Sequence, residues 1–198
     1  MATGIGGQGV QLATQVLARA AMVEGREVLM FGSYGGMMRG GNTDTTLVVA
    51  DGPIEAPPVV PSTWSAILMH HDYWSPVQQR LRPDSVVFVN SSVFEARGDV
   101  TAGDWHVVDV AATDIAVDVG NIVNASMVMV GAYAAATGIV GLDALKAGLD
   151  DALPPYRRKH LPASVAALEA GYAAVDANCF PAWEVPTTAG AAAEGVMS

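Results

Sequence analysis

Gly4-Ile5-Gly6-Gly7-Gln8-Gly9, running straight into Val10-Gln11-Leu12-Ala13-Thr14-Gln15-Val16-Leu17, is the stretch whose reading decides the fold. Apolar side chains at Val10, Ala13, Leu17 and Ala20, with Val16 and Ala21 beside them, recur at helical spacing, so residues 9–24 read as a helix stopped by Gly25. The glycines ahead of it satisfy the spacing G-x-G-x-x-G, and backbone amides at such a helix start can hold an anion. A doubly wound domain places a strand before this loop. Only Met1 to Thr3 precede Gly4, so either the first strand is a stub or the start of the chain lies further upstream.

Moving outward, Glu27 to Phe31 reads as a short buried strand, and residues 32–42 are too glycine-rich to be anything but a shaped loop. Residues 43–50 are rich in β-branched types and end at Asp51-Gly52-Pro53, which marks a strand closed by a tight turn. Prolines crowd residues 56–61 into an extended connector. Strands follow at 65–69, 85–89 and 106–110, with helices at 72–81, capped by Asp72, and at 113–119. Further helices occupy 123–137, 142–149 and 164–175. Strands alternating with helices imply an α/β fold of Rossmann-like, three-layer type, with a mostly parallel sheet and helices on both faces. Residues 1–175 form the domain; residues 176–198 are a C-terminal tail, disordered or lying as an arm on a partner subunit.

Composition narrows the function classes. Apolar residues make up 51% of the 198 and charged residues only 15%, which suggests that some apolar surface is covered by a partner. A formal net charge of −10 repels phosphate at long range and argues against nucleic acid or an anionic membrane as a partner, so any phosphate site must be local. One cysteine, Cys179, rules out an internal disulfide framework and a four-thiolate cluster held by this chain alone. The N-terminus has neither the basic start nor the apolar run of a signal peptide, and the apolar stretch 125–136 is too short to cross a bilayer, which places the chain in the cytoplasm.

The first glycine loop has three readings. A dinucleotide site needs an acid about 20 residues on to bind a ribose, and Phe31-Gly32-Ser33 supplies none. Close helix–strand packing is the second reading, and a phosphate-bearing ligand other than a dinucleotide the third. The second loop, Ser33-Tyr34-Gly35-Gly36-Met37-Met38-Arg39-Gly40-Gly41-Asn42, sets one guanidinium among glycines. It can converge on a carboxylate or phosphate, or pack against another subunit with Arg39 in an ion pair. Asn90-Ser91-Ser92 follows a buried strand at its carboxyl end, the edge at which open α/β sheets bind ligands, or is a plain turn. Asn121 and Asn124 open a buried helix, where capping is their first role. His70-His71-Asp72 offers metal-type side chains, but adjacent histidines on an extended segment point to opposite faces, so no metal site is expected. Arg157-Arg158-Lys159-His160 is a basic run at a solvated helix start.

Taken together, Gly4-Ile5-Gly6-Gly7-Gln8-Gly9-Val10, then Ser33-Tyr34-Gly35 and Arg39-Gly40-Gly41, resembles the gamma subunit of the 2-oxoacid:ferredoxin oxidoreductases. The resemblance extends to Gly120-Asn121 with Asn124, to Gly131, and to Leu168 through Gly171-Tyr172. Two positions depart from it: Gly36-Met37 stands where many relatives carry proline and an acid, and Ser164 where an asparagine is common. The resemblance implies a non-redox subunit, not catalytic alone, of an enzyme that oxidatively decarboxylates a 2-oxoacid to an acyl-CoA. Alpha and beta partners, with a delta or ferredoxin-like chain in some complexes, would hold thiamine diphosphate with magnesium and the [4Fe-4S] clusters. This chain would help assembly and position coenzyme A through Gly6, Gly7, Gln8, Gly9, Ser33, Tyr34, Arg39, Gly40, Asn90 and Asn124. A free-standing Rossmann-type nucleotide-binding oxidoreductase and a ligand-free assembly subunit are the alternatives.

Overall fold

In the computed structural model, which describes residues 1–34, 41–55, 60–94 and 100–183, six strands form one sheet in the order β2-β3-β1-β4-β5-β6. The strands are β1 (Ala2–Ile5), β2 (Glu27–Tyr34), β3 (Asn42–Ala50), β4 (Thr63–Leu68), β5 (Leu81–Asn90) and β6 (Trp105–Val110). Neighbours β1, β4, β5 and β6 are parallel, whereas β3 runs antiparallel to both β1 and β2. The mostly parallel sheet therefore carries one reversed strand, formed because β2 and β3 pair as a hairpin across the second glycine loop. That pairing runs to Ser33↔Asp44 and Tyr34↔Thr43, so β2 extends three residues into what the glycine content predicts to be loop. Cross-strand hydrogen bonds to β3 override the low strand propensity of Gly32.

The two faces of β4 and β5 separate by alternation, as the pleat requires. Ile67, Val86 and Phe88 point into the larger core, against α1 (Val10–Val23) and the helices Ala112–Asp118, Ala125–Thr137, Leu142–Ala152 and Leu161–Ala173. Ala66, Leu68, Val87 and Val89 point the other way, onto a thin layer of Trp74, Val77, Phe94 and Val100. The three layers are present, and they are very unequal in depth.

At the centre of the deep layer, every residue of the Ala125–Thr137 helix is buried. A helix apolar on all sides is an interior one. Its Tyr133 meets Phe88 edge to face at 5.2 Å and bonds the Ser65 hydroxyl at 2.9 Å. Burial pushes the phenol up to about 12, against the smaller lowering by the Ser65 bond. The last described residues pack on the same helix: amides of Asn178, Phe180 and Ala182 donate to the carbonyls of Ala135, Ala136 and Thr137. The Trp183 indole donates to Ile139 O at 3.1 Å. Residues 176–183 of the expected tail thus lie on this chain's own domain.

β1 is only four residues long, as short as the sequence implies. At its amino end, where β3 runs on to Ala50 and β4 starts at Thr63, a cavity of about 240 Å³ opens among Met1, Val48, Trp64, Tyr133 and Trp183. It lies at the end of the sheet opposite the glycine loops.

Candidate functional site

The carboxyl ends of β1, β2, β4, β5 and β6, together with the start of β3, meet at one edge. Both glycine-rich segments reach it. Ile5 pairs with Asn42 in register, and the Gly6 amide donates to the Gly41 carbonyl at 2.9 Å, so the exit of the second loop is pinned to the first. A polar cluster beneath this junction fixes it further. The Thr3 hydroxyl donates to the Asp44 carboxylate, and the Asn42 amide nitrogen donates to the other Asp44 oxygen at 2.7 Å. Asn42 and Asp44 lie on one face of β3, at i and i+2 in the polar first half of the strand, where the neighbouring threonines make them hard to single out.

Within the first loop the residues divide by task. Gln8 works inward: its carbonyl oxygen accepts from the Ile5 amide at 2.8 Å and its nitrogen donates to Met69 O at 3.3 Å, tying the loop to the end of β4. Gly9 has φ 77 and sits at the N-cap of α1, where a Cβ would stand 2.6 Å from Ser126 Oγ. This is the close packing that the glycine spacing allows. Gly7, with φ +108, faces nothing within 4 Å among the described residues. The amino end of α1 carries no side-chain cap and no acid in its first turn, which leaves its amides and dipole available to an anion.

Asn124 ends a 3-10 turn, Ile122–Asn124, that leads into the helix containing Ser126. Its carbonyl oxygen accepts from the Ser164 hydroxyl at 3.1 Å, while its side-chain nitrogen is buried without a hydrogen-bond partner among the described residues. A buried amide donor left unpaired costs of the order of 1–3 kcal/mol, so its retention needs an explanation. The capping role expected of this pair belongs to Asn121, whose side chain accepts from the Val123 amide. Ser164, where the resemblance leads one to expect an asparagine, is the residue that engages Asn124.

Asn90 is fully buried, and both ends of its amide are taken up by Thr113: the nitrogen donates to the hydroxyl at 2.9 Å and the oxygen accepts from the backbone amide at 3.3 Å. It holds the start of the Ala112–Asp118 helix. Ser33 and Tyr34 end β2 at the same edge, while Arg39 and Gly40 lie outside the described residues. The basic run falls in an exposed 3-10 helix, Pro155–His160.

The two imidazoles of His70-His71 do not point to opposite faces, although adjacency on an extended segment implies it. His70 is extended (φ −154, ψ 146), but the chain turns at once into a 3-10 helix, His71–Tyr73, which brings the two imidazoles to the same side. Their rings stack at 4.3 Å. The helix expected at 72–81 shrinks to Trp74–Gln78, and the cap is His70, whose Nδ1 accepts from the Asp72 amide, rather than Asp72.

Among known proteins, the sequence profile described as pyruvate ferredoxin/flavodoxin oxidoreductase matches residues 1–174. The 2-oxoglutarate synthase subunit KorC of Methanothermobacter thermautotrophicus is 32% identical over 77% of this chain and 82% of its own. The pyruvate synthase subunit PorC of the same organism is 31% identical over 72% of this chain and 77% of its own. Among solved structures, the pyruvate oxidoreductase subunit PORC of Thermotoga maritima superposes with a TM-score of 0.72 at 27% identity, covering 89% of this chain and 96% of its own. The 2-oxoglutarate:ferredoxin oxidoreductase of Magnetococcus marinus, solved with 2-oxoglutarate, coenzyme A and succinyl-CoA, gives 0.78 at 16% identity over 91% of this chain and 32% of that one, a likeness of fold.

Proposed function

Because this chain belongs to the pyruvate ferredoxin/flavodoxin oxidoreductase family, we propose that it works as the gamma-type subunit of an enzyme that decarboxylates a 2-oxoacid oxidatively to an acyl-CoA, with ferredoxin as electron acceptor. Within that enzyme its task is to help assembly and to position coenzyme A. Thiamine diphosphate with its magnesium and the [4Fe-4S] clusters belong to the alpha, beta and any delta chains in this reading, since one cysteine cannot ligate such a cluster.

The observation that carries the proposal is the Gly6–Gly41 hydrogen bond, which joins two glycine-rich segments at the carboxyl edge of a mostly parallel sheet. A phosphate of coenzyme A suits the space beside Gly7 and the uncapped amino end of α1, and Asn124 leads into the helix whose Ser126 stands closest to Gly9. Ser33, Tyr34, Arg39 and Gly40 belong to the second segment and are the residues of it assigned to the ligand, while Asn90 holds the start of the Ala112–Asp118 helix through Thr113. These groups orient a thioester-forming substrate and exclude water; they move no electrons.

A specific patch favours the assembly part of the task. Val117, Ile122 and Val123 are 55%, 57% and 71% exposed just ahead of Asn124, where a partner chain would cover them. Met37 and Met38 beside Arg39 have the composition of an interface core.

The test uses the assembled complex. Asn124→Ala should raise the Michaelis constant for coenzyme A roughly 10- to 150-fold, the value of one hydrogen bond to a charged group, with subunit stoichiometry intact. Arg39→Lys keeps the charge and loses the bidentate fork: a raised constant for coenzyme A assigns it to the ligand, and dissociation on dilution assigns it to a partner subunit. Wild-type constants and wild-type assembly in both variants would remove this edge from coenzyme A binding altogether.

A further inference from the structure

We infer that His70, His71 and Asp72 form a binding site for a first-row divalent transition ion such as Zn²⁺ or Ni²⁺. Their ligand atoms all lie within 4.8 Å of one another, with His71 Nε2 3.1 Å from Asp72 Oδ1 and His70 Nδ1 3.5 Å from Asp72 Oδ2. Tetrahedral coordination at about 2.0–2.2 Å sets neighbouring ligand atoms about 3.4 Å apart, which both of these pairs approach. The remaining separation closes by rotation of rings that are only partly enclosed, their side chains 20% and 30% exposed. Water completes the shell on the Asp72 side, which faces solvent.

A second contact orients the rings. His71 Nδ1 stands 3.4 Å from the Val93 carbonyl oxygen, which turns Nε2 toward Asp72. His70 Nδ1 takes the Asp72 amide at 3.3 Å, a long hydrogen bond that it would exchange for the ion. The Val93 carbonyl on the far nitrogen is the outer-shell contact that fixes a metal-ligating histidine and raises its basicity. Imidazole with carboxylate selects zinc, nickel or copper over magnesium or calcium. Met69, one residue earlier, holds Gln8 of the glycine loop, so an ion here would stiffen the link between β4 and the loop after β5.

The experiment uses the full chain without an affinity tag, stripped by a chelator and titrated with Co²⁺ by absorption and with Zn²⁺ by calorimetry. The expected result is one equivalent bound with tetrahedral or five-coordinate cobalt bands. Affinity should fall at least about 10-fold in His71→Gln and in the exposed Asp72→Asn, the scale seen when even outer-shell partners are removed. Cys179→Ser should leave it unchanged, since the exposed Cys179 is the competing soft ligand. Absence of saturable binding, as when a proton on His71 satisfies the carboxylate instead, overturns the inference; so does stoichiometric binding that survives both site variants or disappears with Cys179.

Discussion

The glycines of the helix pair Ala125–Thr137 and Leu161–Ala173 and those of the Gly4–Gly9 loop are the same residue put to opposite uses. Where the helices cross, a Cβ on Gly131 would overlap the Leu168 carbonyl, and one on Gly171 would overlap the Val128 carbonyl. Backbone meets backbone there, with no flexible side chain to move aside. In the loop, a Cβ on Gly9 would meet only the side chain of Ser126, and one on Gly7 would meet nothing within 4 Å among the described residues. Glycine at the crossing serves close packing between two helices of the deep layer, whereas glycine at Gly7 serves a left-handed turn with no such contact among the described residues. The difference separates glycines required by packing from glycines required by backbone conformation.

That separation can be broken by substitution. The largest effect is expected from Gly171→Val, which drives the helices apart and should destabilise the chain by about 3 kcal/mol or more, the upper end of overpacking. A urea midpoint within experimental error of the wild type would mean the helices do not cross so closely. Gly9→Ala comes next. It combines a left-handed backbone, worth about 1–2 kcal/mol for a residue with a Cβ, with the approach to Ser126, and Ser126→Ala in the same chain should recover only the second part. Full recovery by Ser126→Ala would make the contact the whole effect, and none would make it irrelevant. Smallest in stability is Gly7→Ala, about 1–2 kcal/mol from its φ of +108 alone. In the assembled complex the same change should raise the Michaelis constant for coenzyme A, because its methyl enters the space proposed for the phosphate. An unchanged constant would make Gly7 a turn residue only.

Much of this was readable in advance because it rests on local rules. Helical spacing from Val10 to Ala21 gave α1 to within a residue at each end, and the apolar run Ser85 to Val89 gave the buried heart of β5. The reversed strand β3 was not readable as such. Residues 43–50 look the same whichever way they run, and only the hairpin across the second loop decides it. The site was legible in part. Gly9 was marked by its spacing, but Asn42 and Asp44 sit among the threonines of β3 and were not singled out, and the placement of the His70 and His71 rings follows from the turn into the 3-10 helix His71–Tyr73, which adjacency along the chain does not show.

By itself the sequence determined the alternation of strands and helices, the two glycine-rich segments and the lack of a ribose-binding acid, since each follows from residue types at short range. Only the tertiary structure decided that Gly6 bonds Gly41, that Asn90 is spent on Thr113, and that Asn124 is held by Ser164. Those partners lie 35, 23 and 40 positions apart along the chain, counting Ser164 as the group that holds Asn124. Hydrogen bonds at such separation are set by the register of strands and the packing of helices, which no local pattern encodes.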